Sequence, residues 1–344
     1  MNEHPKKPYT IQDVAKRAQV SIKTVSRVIN KEPSVRPATR ERVEAIAKEM
    51  DYRPNLIAQS LKSDRSYLIG LFIEGIGSYV TDFISGVIGR CRDSGFHVMV
   101  EPWDPSEPDL GAKVATLVRQ LRLEAAILLP AHCDNPVILD ALTREGVPFV
   151  RIAPRLSRPD SPLVRCDDYV ASQLMTAHLL KCGHRRIGFI KGLPDHSATE
   201  QRYLGFVDEM TRSGVEIDQE LVVSGAFRFE EAYAGAASLL NLPNRPTAIF
   251  ASNDDMAVAV MAVAQNLKIA VPQQLSVAGF DDTPVSRMMN PRLTTVRQPV
   301  QAIASTAADL IITHTPRRNG WPDLLPDRIL EFEMIIRGST GPVP

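Results

Sequence analysis

The chain lacks the marks of secreted, membrane and redox proteins. Its four cysteines, Cys91, Cys133, Cys166 and Cys182, include no CxxC pair. That spacing excludes a disulfide framework and points to reduced, mostly buried thiols in a cytoplasmic protein. No apolar run approaches the roughly 20 residues that cross a bilayer, and no apolar N-terminal stretch reads as an export signal. GxSxG, HExxH and Walker motifs are missing, and Gly75-Ile76-Gly77 has no third glycine at the spacing a dinucleotide loop needs. His132-Cys133-Asp134 and Cys182-Gly183-His184 are too short and isolated for metal sites. No catalytic residue, metal or cofactor is therefore expected. The net charge is zero, so the molecule as a whole is no generic polyanion binder.

What is present is unevenly placed. Residues 1–66 hold fourteen Lys/Arg against eight Asp/Glu, a surplus of +6, and the remainder is acidic to the same extent. A basic head on an acidic body concentrates phosphate affinity in one place. At 344 residues, two or three domains are expected. The stretch Ile11–Asn30, IQDVAKRAQVSIKTVSRVIN, reads as two short helices around a turn at Gln19-Val20. Val14, Ala15 and Ala18 form an apolar face on the first. Ser21 is an N-cap for the second, whose inward face is Val25, Val28 and Ile29. Lys23 and Arg27 share the opposite face, flanked by Thr24 and Ser26. Cations and hydroxyls on one side of a short helix suit a DNA major groove. By periodicity alone, a plain helical hairpin with a solvated charged face fits equally well. A third helix, from Thr39 to about Met50, closes the small core with Val43, Ile46 and Ala47.

Two further strings decide between these readings. DVAKRAQVSIKTVSRVIN, with TVSRVIN at Thr24–Asn30, and YRPN at Tyr52–Asn55 resemble the LacI/GalR family of transcriptional regulators, and the resemblance runs over nearly the whole chain. It implies a DNA-reading set of Ser21, Ile22, Lys23, Thr24, Ser26, Arg27, Asn30, Tyr52, Asn55 and Leu61. Ile22, Lys23 and Arg27 would read bases. Pro54 interrupts helix three, and Asn55–Lys62 is too short to be a stable helix alone. In the resembled family this segment is a hinge helix that enters the minor groove. Leu61 matches the side chain that wedges between base pairs; a plain linker with Leu61 as a packing residue is the alternative.

From Tyr67 onward, apolar runs at Leu68–Ile73, His97–Glu101, Ala125–Leu129, Phe149–Ile152, Arg186–Ile190, Thr247–Ala251 and Ser276–Phe280 alternate with helical patterns. Such alternation implies parallel sheets covered on both faces. The expected architecture is an all-α helix-turn-helix head (1–50), a hinge (51–66) and an α/β periplasmic-binding-protein-like body (67–344). The body would comprise two doubly wound parallel-sheet subdomains, with crossovers near 164–168, 295–298 and 326–329.

Ligands of such sheets sit beyond the carboxyl ends of the strands. There the resemblance assigns Arg202, Asn253, Asp281 and Phe227 to an effector site. Tyr79, Glu74 and His196 follow the same strand ends and complete the candidate set. A carboxylate, an amide and a guanidinium can grip adjacent hydroxyls, and an aromatic ring covers a sugar's C–H face. Asn and Asp also cap turns, which is the competing reading for Asn253 and Asp281; Asp254 is expected to be a helix cap. Ala153 falls where some sugar-binding members carry an Asp. Arg151 and Arg155 near that strand end either pair with Glu74 or read an acidic ligand.

The expected function is a cytoplasmic, nucleoid-associated regulator, a repressor of carbohydrate genes. It would bind double-stranded DNA as a homodimer on a palindromic operator and be switched by a small sugar-like effector. A sugar-binding protein without a regulatory role is the alternative, and an enzyme is not expected.

Overall fold

The computed structural model describes residues 9–29, 34–52, 65–92, 94–314 and 325–343, and divides at Ser66/Tyr67 into two compact units. In the first unit, Thr10 and Asp13 form a reciprocal capping box that starts α1 (Ile11–Arg17). Gln19 takes a left-handed φ of 53° and turns the chain. The Ser21 hydroxyl then accepts from the Thr24 amide at 3.1 Å and caps α2 (Ile22–Ile29). Pro37 at the first turn of α3 (Pro37–Glu49) leaves no helical donor wasted. Val14, Ala15, Ala18, Val25, Val28, Val43 and Met50 are buried together between the three helices. Asn30, Asn55 and Leu61 lie outside the described residues.

The second unit contains two parallel sheets. The first, built from β1 (Leu68–Ile73), β2 (His97–Pro102), β3 (Ala125–Leu128), β4 (Phe149–Ile152), β5 (Leu163–Cys166) and β11 (Arg328–Leu330), has the order β11-β5-β4-β3-β1-β2. All its pairings are parallel. Ile69, Leu71 and Ile73 bury against α4 (Ser78–Arg92) and α12 (Val300–His314). Phe72 and Leu128 bury on the other face, against α5 (Leu110–Leu121) and α6 (Pro136–Arg144). Burial on both faces explains why these strands read as continuous apolar runs rather than alternating ones.

The second sheet has β6 (Ile187–Lys191), β7 (Val222–Ser224), β8 (Ala248–Ala251) and β9 (Ser276–Ala278) in the order β7-β6-β8-β9. It is packed between α7 (Asp168–Lys181) with α8 (Ser197–Arg212) on one face and α9 (Phe229–Leu240) with α10 (Asp254–Asn266) on the other. A short helix, α11 (Pro284–Met288), follows β9, and β10 (Thr295–Arg297) pairs antiparallel with β12 (Glu333–Ile335).

The chain passes between the lobes after β5, after β10 and after β11. The segments expected as crossovers therefore overlap strands. Leu163–Cys166, Thr295–Arg297 and Arg328–Leu330 are hydrogen-bonded to their sheets, and only one or two residues connect each to the next element. No helix among the described residues is long and apolar enough to cross a membrane.

Candidate functional site

Two places gather the sequence-derived candidates. On the head, α2 turns Val25 and Val28 inward and leaves Ile22 45% exposed, with Lys23 exposed beside it. That exposure decides between core and surface for Ile22. A polar concavity of about 360 Å³ joins Ser21, Thr24 and Arg27 of the α2 side to Arg36, Thr39 and Arg42 at the start of α3. Among the described residues no acidic side chain lines it. Three cations with hydroxyls between them suit a phosphate backbone. Arg36, Thr39 and Arg42 were expected only at or inside the third helix, not in the DNA-reading set; the +6 surplus of the head was the signal for them. Tyr52 packs against the head core, its amide donating to the Ala47 carbonyl at 2.9 Å, and burial raises its phenol pKa.

In the body, Tyr79, His196, Arg202, Phe227, Asn253 and Asp281 come from separate strand ends to one cavity of about 180 Å³ between the lobes. Asp168, Asp255 and Gln298 share it and were missed. Asp168 opens α7 directly beyond β5, in a segment expected as a crossover rather than as part of the site. Arg202 sits on α8, almost fully buried. Its Nε donates to Asp168 Oδ1 at 2.7 Å and its Nη1 to the Ser252 carbonyl. Its Nη2 lies 3.9 Å from Asp281 Oδ1, and its face stacks 3.7 Å from the Phe280 ring centroid. The two carboxylates outweigh the desolvation that would lower its pKa, and the guanidinium stays charged. Asp281 is itself held by Gln298 Nε2 at 2.6 Å, while Gln298 Oε1 accepts from the Cys166 thiol at 3.1 Å. Burial pushes the Asp281 carboxyl upward despite Arg202 and Gln298.

Asn253 lines the cavity, but its side chain is committed locally. Oδ1 accepts from the Met256 amide at 2.9 Å as the N-cap of α10, and Nδ2 donates to the Phe227 carbonyl at 3.3 Å. The cap is thus Asn253, not Asp254 as expected. Asp254 is buried and ties the loop after β9 to β10, accepting from the Thr283 amide and hydroxyl at 2.8 and 3.1 Å and from the Thr295 hydroxyl at 2.6 Å. Burial and the nearby Asp281 push its carboxyl upward. Ala226 and Phe227 both have left-handed φ, of 50° and 58°, and present the Phe227 ring over Gly192. A Cβ at Gly192 would fall 2.0 Å from Phe227 Cζ, so only glycine admits the ring there.

Glu74 stands at the rim and accepts from His196 Nε2 at 3.2 Å across the lobes; that bond holds its carboxyl below the usual range. His196 in turn meets the Phe227 ring at 5.5 Å. Ser78 donates to Asp255 Oδ1 at 3.2 Å, a second inter-lobe bond. Ala153 adds only apolar surface to the cavity.

Neither arginine of the β4 end reaches the cavity or pairs with Glu74. Arg151 is buried on Ser161 Oγ at 2.8 Å and Asp134 at 3.4 Å. Arg155 donates to the Pro194 carbonyl at 2.7 Å. His132 and Cys133 are core residues, and burial lowers the His132 pKa. Among the described residues no group of three His, Cys, Asp or Glu could hold a metal ion.

Comparison with known proteins gives this arrangement a context. Residues 10–55 match the model of bacterial regulatory proteins, lacI family, and residues 176–340 that of a periplasmic binding protein-like domain. The ribose operon repressor of Escherichia coli (strain K12) is 32% identical over 304 residues, 88% of this chain and 92% of that protein. The probable HTH-type transcriptional repressor ExuR of Bacillus subtilis (strain 168) is 31% identical over 338 residues, 96% of this chain and 98% of that one. Among solved structures, the lac repressor dimer bound to operator and the anti-inducer ONPF superposes with a TM-score of 0.76 at 26% identity. That match covers 97% of this chain and all of that one. The transcriptional regulator CelR–cellobiose complex gives 0.72 at 27% identity, covering 96% and 99%. With a helix-turn-helix head, two doubly wound lobes and relatives matched along nearly their full length, the chain belongs to the lacI family of bacterial regulatory proteins and is a DNA-binding transcriptional regulator.

Proposed function

We propose that this regulator is a cytoplasmic repressor that binds a palindromic operator as a homodimer and is switched by a small polyhydroxylated effector held between the lobes of its body. The observation that carries the effector reading is the single cavity that unites Arg202 and Asp281 with Phe227 and Tyr79. Carboxylate, guanidinium and amide groups beside two aromatic rings match a molecule with hydroxyls on its edge and C–H on its face. The ribose operon repressor and the CelR–cellobiose complex are relatives whose names carry a sugar, and they support the same chemical class here.

On DNA, Ile22, Lys23 and Arg27 read the major groove with Ser21, Thr24 and Ser26 beside them. Arg36, Thr39 and Arg42 grip phosphate. Asn30 and Asn55 add DNA contacts, Tyr52 supports the reading surface from the head core, and Leu61 is the minor-groove wedge. One small head makes few base contacts, so two heads on a two-fold site are required for specificity.

The switch is a shift between two body states. An effector changes operator affinity only to the extent that it binds one state better than the other. The rim bonds Glu74–His196 and Ser78–Asp255 form only when the lobes are close. A ligand that bridges the lobes therefore favours the closed state. The test is a gel shift of the full-length protein on DNA upstream of its own gene and its neighbours, with and without pentoses, hexoses and cellobiose. A sequence-specific shift altered by one sugar supports the reading, and the direction of the change tells induction from co-repression. Binding blind to sequence, or unaffected by any sugar, overturns it.

A further inference from the structure

The charge around the cavity carries an inference about which effectors it admits, resting on the reading of the cleft as a polyol site. Four helices begin at this cavity, α4 at Ser78, α7 at Asp168, α8 at Ser197 and α10 at Asp254. Helix N-termini attract anions through their free amides and the aligned peptide dipoles. Here the chain supplies those anions itself. Asp168 lies in the first turn of α7 and Asp255 in the first turn of α10, and Asp255 is also hydrogen-bonded by the Ser78 hydroxyl at the start of α4.

The one guanidinium in the wall is already spoken for. Arg202 is clamped by Asp168 and the Ser252 carbonyl, and its remaining edge faces Asp281. His196, the other basic lining group, donates to Glu74. On the acceptor side, Asp168 and Asp255 each engage a partner through Oδ1 only. Asp281 likewise accepts through Oδ1 only, from Gln298, with Arg202 Nη2 3.9 Å away. The three Oδ2 atoms make no hydrogen bond among the described residues. The wall thus sets three carboxylates against one guanidinium, of which Nη2 alone makes no hydrogen bond among the described residues.

We propose that this cleft admits uncharged polyols, whose hydroxyls donate to Asp168, Asp255 and Asp281, and refuses sugar acids and phosphorylated sugars. A ligand carboxylate or phosphate would be buried beside Asp168 and Asp255, and beside Asp281 wherever it is ionised, with only the shared Arg202 to offset it, an arrangement that selects by repulsion as much as by attraction. The guanidinium edge an anion would seek lies between Asp168 and Asp281.

The experiment uses the full-length protein and a matched panel: glucose, galactose, ribose and cellobiose, with glucuronate, galacturonate, and the phosphates of glucose and ribose. Binding is read by titration calorimetry and by thermal shift at neutral pH. The expected result is that a neutral sugar binds and its acid or phosphate binds about tenfold or more weakly. The gap should narrow in Asp255→Asn, checked by circular dichroism for an unchanged fold. A sugar acid or phosphate that binds as tightly as its neutral parent overturns the proposal while leaving the polyol reading intact. A panel in which no member, neutral or charged, binds overturns the polyol reading, and this proposal with it.

Discussion

Arg202 and Asp281 face one another at 3.9 Å, with Asp168 closing the other side of the guanidinium at 2.7 Å. One cation therefore lies between two carboxyl groups that arrive from different elements, α7 and the loop after β9. Removing it would leave both acids buried and unpaired. Arg202→Ala is expected to destabilise the body by about 3–5 kcal/mol and to abolish the effector response. Arg202→Lys should keep part of the stability but lose the fork geometry and hence the response. Urea unfolding and effector titration check the two effects separately. A stable Arg202→Ala protein with unchanged effector affinity would remove Arg202 from the site.

Gly192 sets the height of Phe227. Because a Cβ there collides with the ring, Gly192→Ala is expected to push Phe227 off its seat at a cost of about 1–3 kcal/mol in stability. Effector affinity should fall with it, while operator binding without effector stays unchanged. Phe227→Leu should lower affinity without the loss of stability. Equal affinity in all three proteins would show that the ring does not touch the ligand.

The head separates two kinds of contact. Arg27→Ala is expected to cost about 1–3 kcal/mol on the operator and to relax discrimination at the bases it reads. Arg36→Ala and Arg42→Ala should weaken binding to operator and random DNA alike. Each should also reduce the slope of log affinity against log salt by about 1. Fluorescence anisotropy on both duplexes at several salt concentrations distinguishes them. A salt slope that stayed the same in both variants would mean that the concavity does not meet phosphate.

Burial pushes the carboxyls of Asp254 and Asp281 upward, so the folded body holds protons that the unfolded chain has already released. Between the ordinary carboxylate range and the raised folded values, the native state binds more protons than the unfolded one. Unfolding free energy must then fall as pH rises through that window. Thermal melts of the ligand-free protein from mildly acidic to neutral pH are expected to show this decline, and Asp281→Asn should flatten it. Glu74 behaves oppositely. His196 holds its carboxyl low, so its stabilisation is present above the ordinary carboxylate range and is lost as pH falls through the folded value. Glu74→Gln should remove that acid-side loss. A melt profile unchanged by either substitution would count against both assignments.

Most of the architecture was legible in the chain because it rests on local rules. The spacing of Val25 and Val28, the Ser21 cap and the Pro at the start of α3 define the head within fifty residues. Apolar runs such as Leu68–Ile73 announce strands buried on both faces. What escaped was short or non-local. Strands β5, β7 and β10 are defined by the hydrogen bonds their sheet neighbours supply, which no local pattern shows. Helix α12 packs small residues and aliphatic ones against α4 and the first sheet, a role set by contacts some 200 residues distant in sequence.

The sequence alone determined a DNA-reading head, two wound lobes and the identity of several side chains at the strand ends, because propensity, period and motif act over short distances. The tertiary structure alone decided what those side chains are free to do. It spent the Asn253 amide on a helix cap and a carbonyl, enclosed Arg202 between two acids, and drew Asp168, Asp255 and Gln298 into the wall. A charge in a cavity is defined by its partners, and here those partners are assembled from elements far apart in the chain.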